Sequence, residues 1–199
     1  MALTTNEIAN SVEFTVEKKL EGKYKAQRIL MYTAHVVLPL AFMILLMALG
    51  AGAIALIIFI PVYYCFALPQ FVGPMTTRYV FLEYEYAIRG GHMEVNRLYG
   101  KHESRWRLRK PWVTPVAVSS MDIIAPLTDE IKKEIRSGSK KYDNVYDAVA
   151  YLDHPDNYYC TWTGEDGKTN LLAFQAIEKT LTIMSFLNKS HIVMSKISE

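Results

Sequence analysis

The feature that most constrains this chain is a gap in its charge. Positions 29 to 77, which are 49 of the 199 residues, contain no Asp, Glu, Lys or Arg, so all 42 formal charges fall elsewhere. That distribution excludes a uniform soluble globule, a disordered chain and a collagen-like or repeat protein. A bilayer core about 30 Å thick is crossed by about 20 apolar helical residues, and the gap is more than twice that length. It therefore holds two spans, residues 29–49 and 53–72, reversing at Leu49-Gly50-Ala51-Gly52, where glycine tolerates the positive φ of a short turn. Pro39, Pro61 and Pro69 are interruptions that packed helices tolerate inside membranes. Tyr24 and Tyr32 gather near one end of the gap, and Tyr63, Tyr64, Phe66, Phe71, Tyr79 and Phe81 near the other, as interfacial aromatic belts do. The overall hydrophobic content of 51% is thus an average over two solvents.

Two rival readings fit less well. A cleaved signal peptide, suggested by the small residues at Ala48-Leu49-Gly50, has an apolar core of only about 7 to 15 residues and is not followed by a second apolar run. A buried soluble helix pair would show a polar face on each helix, and neither run has one. Orientation follows from Lys18, Lys19, Lys23, Lys25 and Arg28 before the gap and Arg78 after it, with no cation in the turn, so both termini are expected in the cytoplasm of a multi-pass protein of the cell membrane. Cys65 and Cys160 offer no disulfide framework, in keeping with that side. Asn188-Lys189-Ser190 matches a glycosylation triplet that would be inert there.

Beyond Tyr79 the tail carries 16 basic and 16 acidic residues and reads as a small β-rich domain. Leu82-Glu83-Tyr84-Glu85-Tyr86-Ala87-Ile88 alternates at period two, Arg89-Gly90-Gly91-His92 supplies a hairpin turn, and Met93 and Val95 resume the alternation. A third strand is expected at Arg105 to Arg109, with Pro111 and Pro115 breaking it, and one or two more between Val116 and Ala125, ending at Pro126. Thr128 caps an expected surface helix with Asp129 and Glu130 in its first turn and Gly138 as its stop. Lys141 to Asp156 reads equally as strand or loop. Asn157 to Thr163 reads as a strand, paired through Gly164-Glu165-Asp166-Gly167 with Lys168 to Phe174. The period then changes: Ile177, Leu181, Met184 and Leu187 form a helical stripe from about Ala176 to Asn188. In the leader, Val12, Phe14 and Val16 alternate with Glu13, Thr15 and Glu17, which suits either an edge strand or an amphipathic helix at the membrane surface.

The fold class expected is therefore membrane α+β: a two-helix transmembrane hairpin followed by a small antiparallel β domain with a C-terminal helix. The divisions are a cytoplasmic N-terminal segment (1–28), the hairpin (29–72), a cytoplasmic β-rich domain (79–190) and a tail (191–199). The order of a charged leader, an apolar hairpin, Leu82-Glu83-Tyr84-Glu85-Tyr86, the run Gly90 to Lys101, Tyr158-Tyr159 and Leu172-Ala173-Phe174 resembles a family of uncharacterised bacterial membrane proteins. The tail also resembles bacterial pleckstrin-homology-like (PH-like) domains, and Ile123-Ile124-Ala125-Pro126 is similar to a strand end seen in them. The resemblance implies about seven strands rolled into a half-open barrel closed by a C-terminal helix. It implies no reaction.

No catalytic motif appears. His35, His92, His102, His154 and His191 lack metal-ligand spacing, and there is no phosphate-binding glycine loop, nucleophile elbow or paired cysteine motif. Ser119 and Ser120 have no identifiable base. Asp153-His154-Pro155-Asp156 has the composition of a turn more than of a cation site. His35, ionisable and within the first span, is a candidate for a proton or ion role, although it lies only about two turns from Arg28. The strongest surface signal is Arg97, Lys101, Arg105, Arg107, Arg109 and Lys110, opposed only by Glu103, with Trp106 and Trp112 beside them. Near an anionic inner leaflet each cation gains about 1 kcal/mol, so these residues are candidates for contact with anionic lipids; the plainer reading is a solvated strand edge with Trp106 facing the core. Small residues at Ala48, Gly50, Ala51, Gly52, Ala53 and Ala55 permit close helix contact within or between chains, so a homo-oligomer or another membrane protein is an expected partner. Nucleic acid is not, because the domain is neutral and shows no base-stacking signature. The expectation is a non-enzymatic interaction or scaffolding module held at the membrane, with no cofactor; an oligomeric small pore or transporter accessory subunit is the alternative.

Overall fold

Alternation at period two dictates the first sheet. Leu82–Arg89 forms β2 and His92–Tyr99 forms β3, with Gly90 and Gly91 both at positive φ (57° and 81°) in the turn between them. This is a computed structural model, and it describes residues 11–50, 52–73, 76, 80–100, 107–138 and 141–193. The chain divides into two compact units: a β unit of Met1–Lys18, Glu83–Arg97 and Lys110–Glu199, and a helical unit of Lys19–Leu82 with Leu98–Arg109.

The β unit draws on both sides of the charge gap. Val12–Glu17 is a strand, β1, running antiparallel to β2 with Val12 opposite Ile88 and Glu17 opposite Glu83. The leader is thus part of the domain, and the expected boundaries at 28 and 79 give way to a domain interrupted by the helices. Phe14 explains the choice of strand over surface helix: its ring packs 4.7 Å from that of Tyr86, a contact that only this pairing supplies. The first sheet is completed by β4, Leu108–Ala117, in the order β1-β2-β3-β4.

The expected break at Pro111 and Pro115 does not occur. Both prolines lie inside β4, which starts later and runs further than the strand expected at 105–109. The reason is position in the sheet: β4 is an edge, and two prolines four apart have the same parity, so both missing N–H groups fall on one side of the strand.

A short 3-10 turn, Val118–Ser120, leads to the second sheet. Its strands are β5 (Ile123–Pro126), β6 (Asn144–Ala148), β7 (Asn157–Thr163) and β8 (Thr169–Gln175), in the order β5-β7-β8-β6. The β7–β8 hairpin is antiparallel as expected, while β6 settles the ambiguity at 141–156 by running parallel to β8. Ile192, assigned to the tail by sequence, bridges to Ile124 beside β5. The count among the described residues is eight strands against about seven expected.

The core is built from Tyr86, Ile88, Met93 and Val95 on the first sheet and Tyr158, Leu171, Leu172 and Phe174 on the second, all fully buried. Tyr86 joins the sheets, its hydroxyl donating to the carbonyl of Ala148. The C-terminal helix, Glu178–Leu187, buries Leu181, Ile183 and Met184, whereas Ile177 precedes it in extended conformation and is exposed. Ile183 therefore replaces Ile177 in the expected stripe. The buried Asn188 amide donates to the carbonyls of Val118 and Met121 at 2.8 Å, which removes the glycosylation triplet's acceptor from reach. The inserted helix, Asp129–Ser137, begins after Thr128 and stops at the left-handed Gly138 as expected, but the Thr128 hydroxyl makes no capping bond. Lys132 bonds Asp129 and Asp153 instead, and that contact holds the Asp129 carboxyl below its ordinary range.

In the helical unit, Gly22–Ala48 is one α-helix and Gly52–Pro61 a second, which continues in wider π winding through Val62–Val72. Pro61 and Pro69 each lack the donor that regular winding needs. Gly73 follows because a Cβ there would meet the Leu68 carbonyl oxygen at 2.6 Å. The first helix contains one stretch, Tyr24–Ala48, long and apolar enough to cross a membrane; only 6% of its most apolar window is buried. The helices meet at Phe42 and Phe59, ring centroids 5.5 Å apart. His35 Nε2 and Thr76 Oγ1 share a hydrogen bond of 2.8 Å, which gives this candidate a structural partner. Arg28 lies 3.8 Å over the ring of Phe81.

Candidate functional site

The inward parity that buries Tyr86 and Ile88 also turns Tyr84 inward at the start of β2, and the parity that buries Met93 and Val95 turns Arg97 inward at the end of β3. Tyr84 begins an aromatic ladder that crosses from one sheet to the other. Its ring stacks on Trp112 of β4 at 5.5 Å; Trp112 meets Tyr146 of β6 edge-on at 5.5 Å; and Tyr146 stacks on Trp162 of β7 at 6.1 Å. Offset and edge contacts at these separations are favourable beyond the area they bury.

Two cations attach to the ladder. The guanidinium carbon of Arg97 sits 3.3 Å from the centre of the Trp112 ring. Lys18, the residue after β1, lies 5.7 Å over Tyr84 and donates to Asp147 Oδ2 at 2.9 Å and to the Val149 carbonyl at 3.0 Å. Lys18 is therefore neutralised by a carboxylate. Arg97 is not: among the described residues it has neither a carboxylate nor a hydrogen-bond acceptor, and its Nε is enclosed. The second carboxylate oxygen of Asp147 is also enclosed without a partner.

The basic strip read from the sequence does not persist as one surface. Arg97 and Trp112 come together inside the β unit, half-buried. Arg109 and Lys110 are exposed on β4, Arg107 is half-buried with its Nε enclosed, and Arg107 and Arg109 group with the helical unit. Lys101, Arg105 and Trp106 lie outside the described residues, as does His102. Tyr84, Tyr146, Trp162, Lys18 and Asp147 were not picked out by sequence. Their signal was inward strand parity, usable only once both sheets are known.

The other candidates resolve into structure. Asp153 pairs with Lys132 and Arg136, and His154 Nδ1 accepts the Asp156 backbone N–H at 3.2 Å within the expected turn. Ser120 donates to the Ala117 carbonyl. Burial pushes the Cys160 thiol up, away from the reactive thiolate. Among the described residues no three potential ligands converge as a metal site.

Residues 10–194 match the model of a family described as Bacterial PH-like domain (DUF6106). No curated protein and no solved structure matches the chain.

Proposed function

The chain belongs to this bacterial PH-like domain family, and from that premise we propose that it is an integral membrane protein whose apolar hairpin roots a cytoplasmic PH-like interaction or scaffolding module. The observation that carries the reading is the β1–β2 register. The chain leaves the first sheet at Glu17 and rejoins it at Leu82, with Glu83 directly opposite Glu17. Both flanks of the apolar insertion therefore belong to one folded unit and lie on one side of any bilayer. A helix that crosses at Tyr24–Ala48 requires a return crossing, and the uncharged helical run Gly52–Val72 supplies it. A cleaved signal sequence is disfavoured on the same ground, since cleavage near Gly50 would strip β1 from its sheet. The exposed Leu38, Ile44 and Ile58, at 67%, 65% and 59%, suit a lipid solvent. The cations of the leader favour the cytoplasmic side for the module.

Exposed Arg109 and Lys110 support a second element of the reading, contact of the module with anionic headgroups. The chain is expected to stay with the membrane pellet through an alkaline carbonate wash. Release into the supernatant contradicts an integral anchor.

A further inference from the structure

Arg97 differs from every other cation of the ladder region in how its charge is met. Lys18 has a carboxylate and a carbonyl, and at the neighbouring surface Arg89 pairs with Glu13. Arg97 is half-buried, with its guanidinium laid on Trp112 at 3.3 Å and no acidic partner among the described residues. A ring quadrupole attracts a cation but accepts none of its in-plane hydrogen bonds. Stacking also fixes the orientation of the guanidinium, whose planar fork of N–H groups matches two oxygens of an oxyanion. Among the described residues the cluster thus sets two cations, Arg97 and Lys18, against one carboxylate, Asp147.

We propose that Arg97, held by Trp112, binds a single phosphate group. The site does not depend on how the hairpin crosses the membrane. One chemistry serves two sources, the headgroup of an anionic phospholipid or free phosphate.

The test uses the full chain in nanodiscs of phosphatidylcholine, titrated with inorganic phosphate at ionic strength held constant with chloride, with tryptophan emission as readout. A saturable change is expected, weakened at least tenfold in Arg97→Gln and within threefold of wild type in the Arg109→Gln, Lys110→Gln double variant. In discs containing phosphatidylglycerol, a headgroup source weakens the phosphate response of the wild type at least tenfold, and a free-phosphate source leaves it unchanged. Should Arg97→Gln fail to fold, modification of wild type by phenylglyoxal, read by peptide mass, replaces it: phosphate is expected to slow modification of Arg97 at least fivefold and leave Arg109 unaffected. No saturable response in the wild type in either disc, an equal response in folded Arg97→Gln, or no protection of Arg97 overturns the proposal.

Discussion

Replacing Phe174 by alanine is expected to cost the β unit about 3–5 kcal/mol, the range for truncating a fully buried aromatic side chain. Phe174 lies on β8, between β7 and β6, paired with Tyr158 on one side and Ala148 on the other, and shows no exposed surface. Its ring packs 6.3 Å from that of Tyr158, itself fully buried. β8 is hydrogen-bonded to a strand on each side of this position, which limits collapse of the cavity, and the cavity adds to the lost transfer free energy. Chemical unfolding followed by tryptophan fluorescence reads the effect as a midpoint lower by about 2 M urea, for a slope of about 2 kcal/mol per molar. Phe186→Ala, on the exposed side of the C-terminal helix at 67% exposure, is the control and is expected to change stability by less than about 0.5 kcal/mol.

The second large effect concerns continuity. A chain in which residues 19–81 are replaced by about six Gly and Ser residues is expected to be soluble in water without detergent and to unfold cooperatively. Glu17 and Glu83 already face each other across the β1–β2 ladder, so a short loop closes the gap at little entropic cost. The replacement removes the exposed apolar side chains of the two helices, Leu38, Ile44 and Ile58 among them, and keeps Lys18 on Asp147. Removing residues 11–18 as well is expected to abolish cooperative unfolding, because β2 loses its neighbour, Tyr86 loses the ring of Phe14, and the Lys18 bond between the sheets disappears. Solubility and sharpness of the urea transition in the two chains check both statements.

How much of this was legible in the sequence depended on range. The charge gap located the apolar helices because composition over a long run is legible without any knowledge of distant contacts. The β7–β8 hairpin and the helix at Asp129–Ser137 were legible because their signals, alternation around a turn and a charged run ending at Gly138, are local. The role of the leader was not, since Val12, Phe14 and Val16 satisfy either a strand or a surface helix until Ile88 and Tyr86 stand beside them. Pro111 and Pro115 read as breaks because a proline's cost depends on which side of a strand lies at the sheet edge, a property of the whole sheet. β6 escaped for the same reason: Asn144–Ala148 carries little apolar patterning and is held by parallel pairing to β8, formed later in the chain. The site shows the same limit. Six cations within 14 residues looked like one surface, yet strand parity turned Arg97 inward onto Trp112 and left Arg109 and Lys110 outside.

The claim on which the account turns is that one PH-like unit, assembled from both flanks of the apolar insertion, lies on one side of the membrane. Single cysteines at Ser11, Leu49 and Val193, introduced into a chain with Cys65 and Cys160 changed to serine, test it with a membrane-impermeant maleimide applied to intact cells. The account predicts that Leu49→Cys is labelled, while Ser11→Cys and Val193→Cys are labelled only after the membrane is opened. Labelling of Ser11→Cys and Val193→Cys from opposite sides would contradict it.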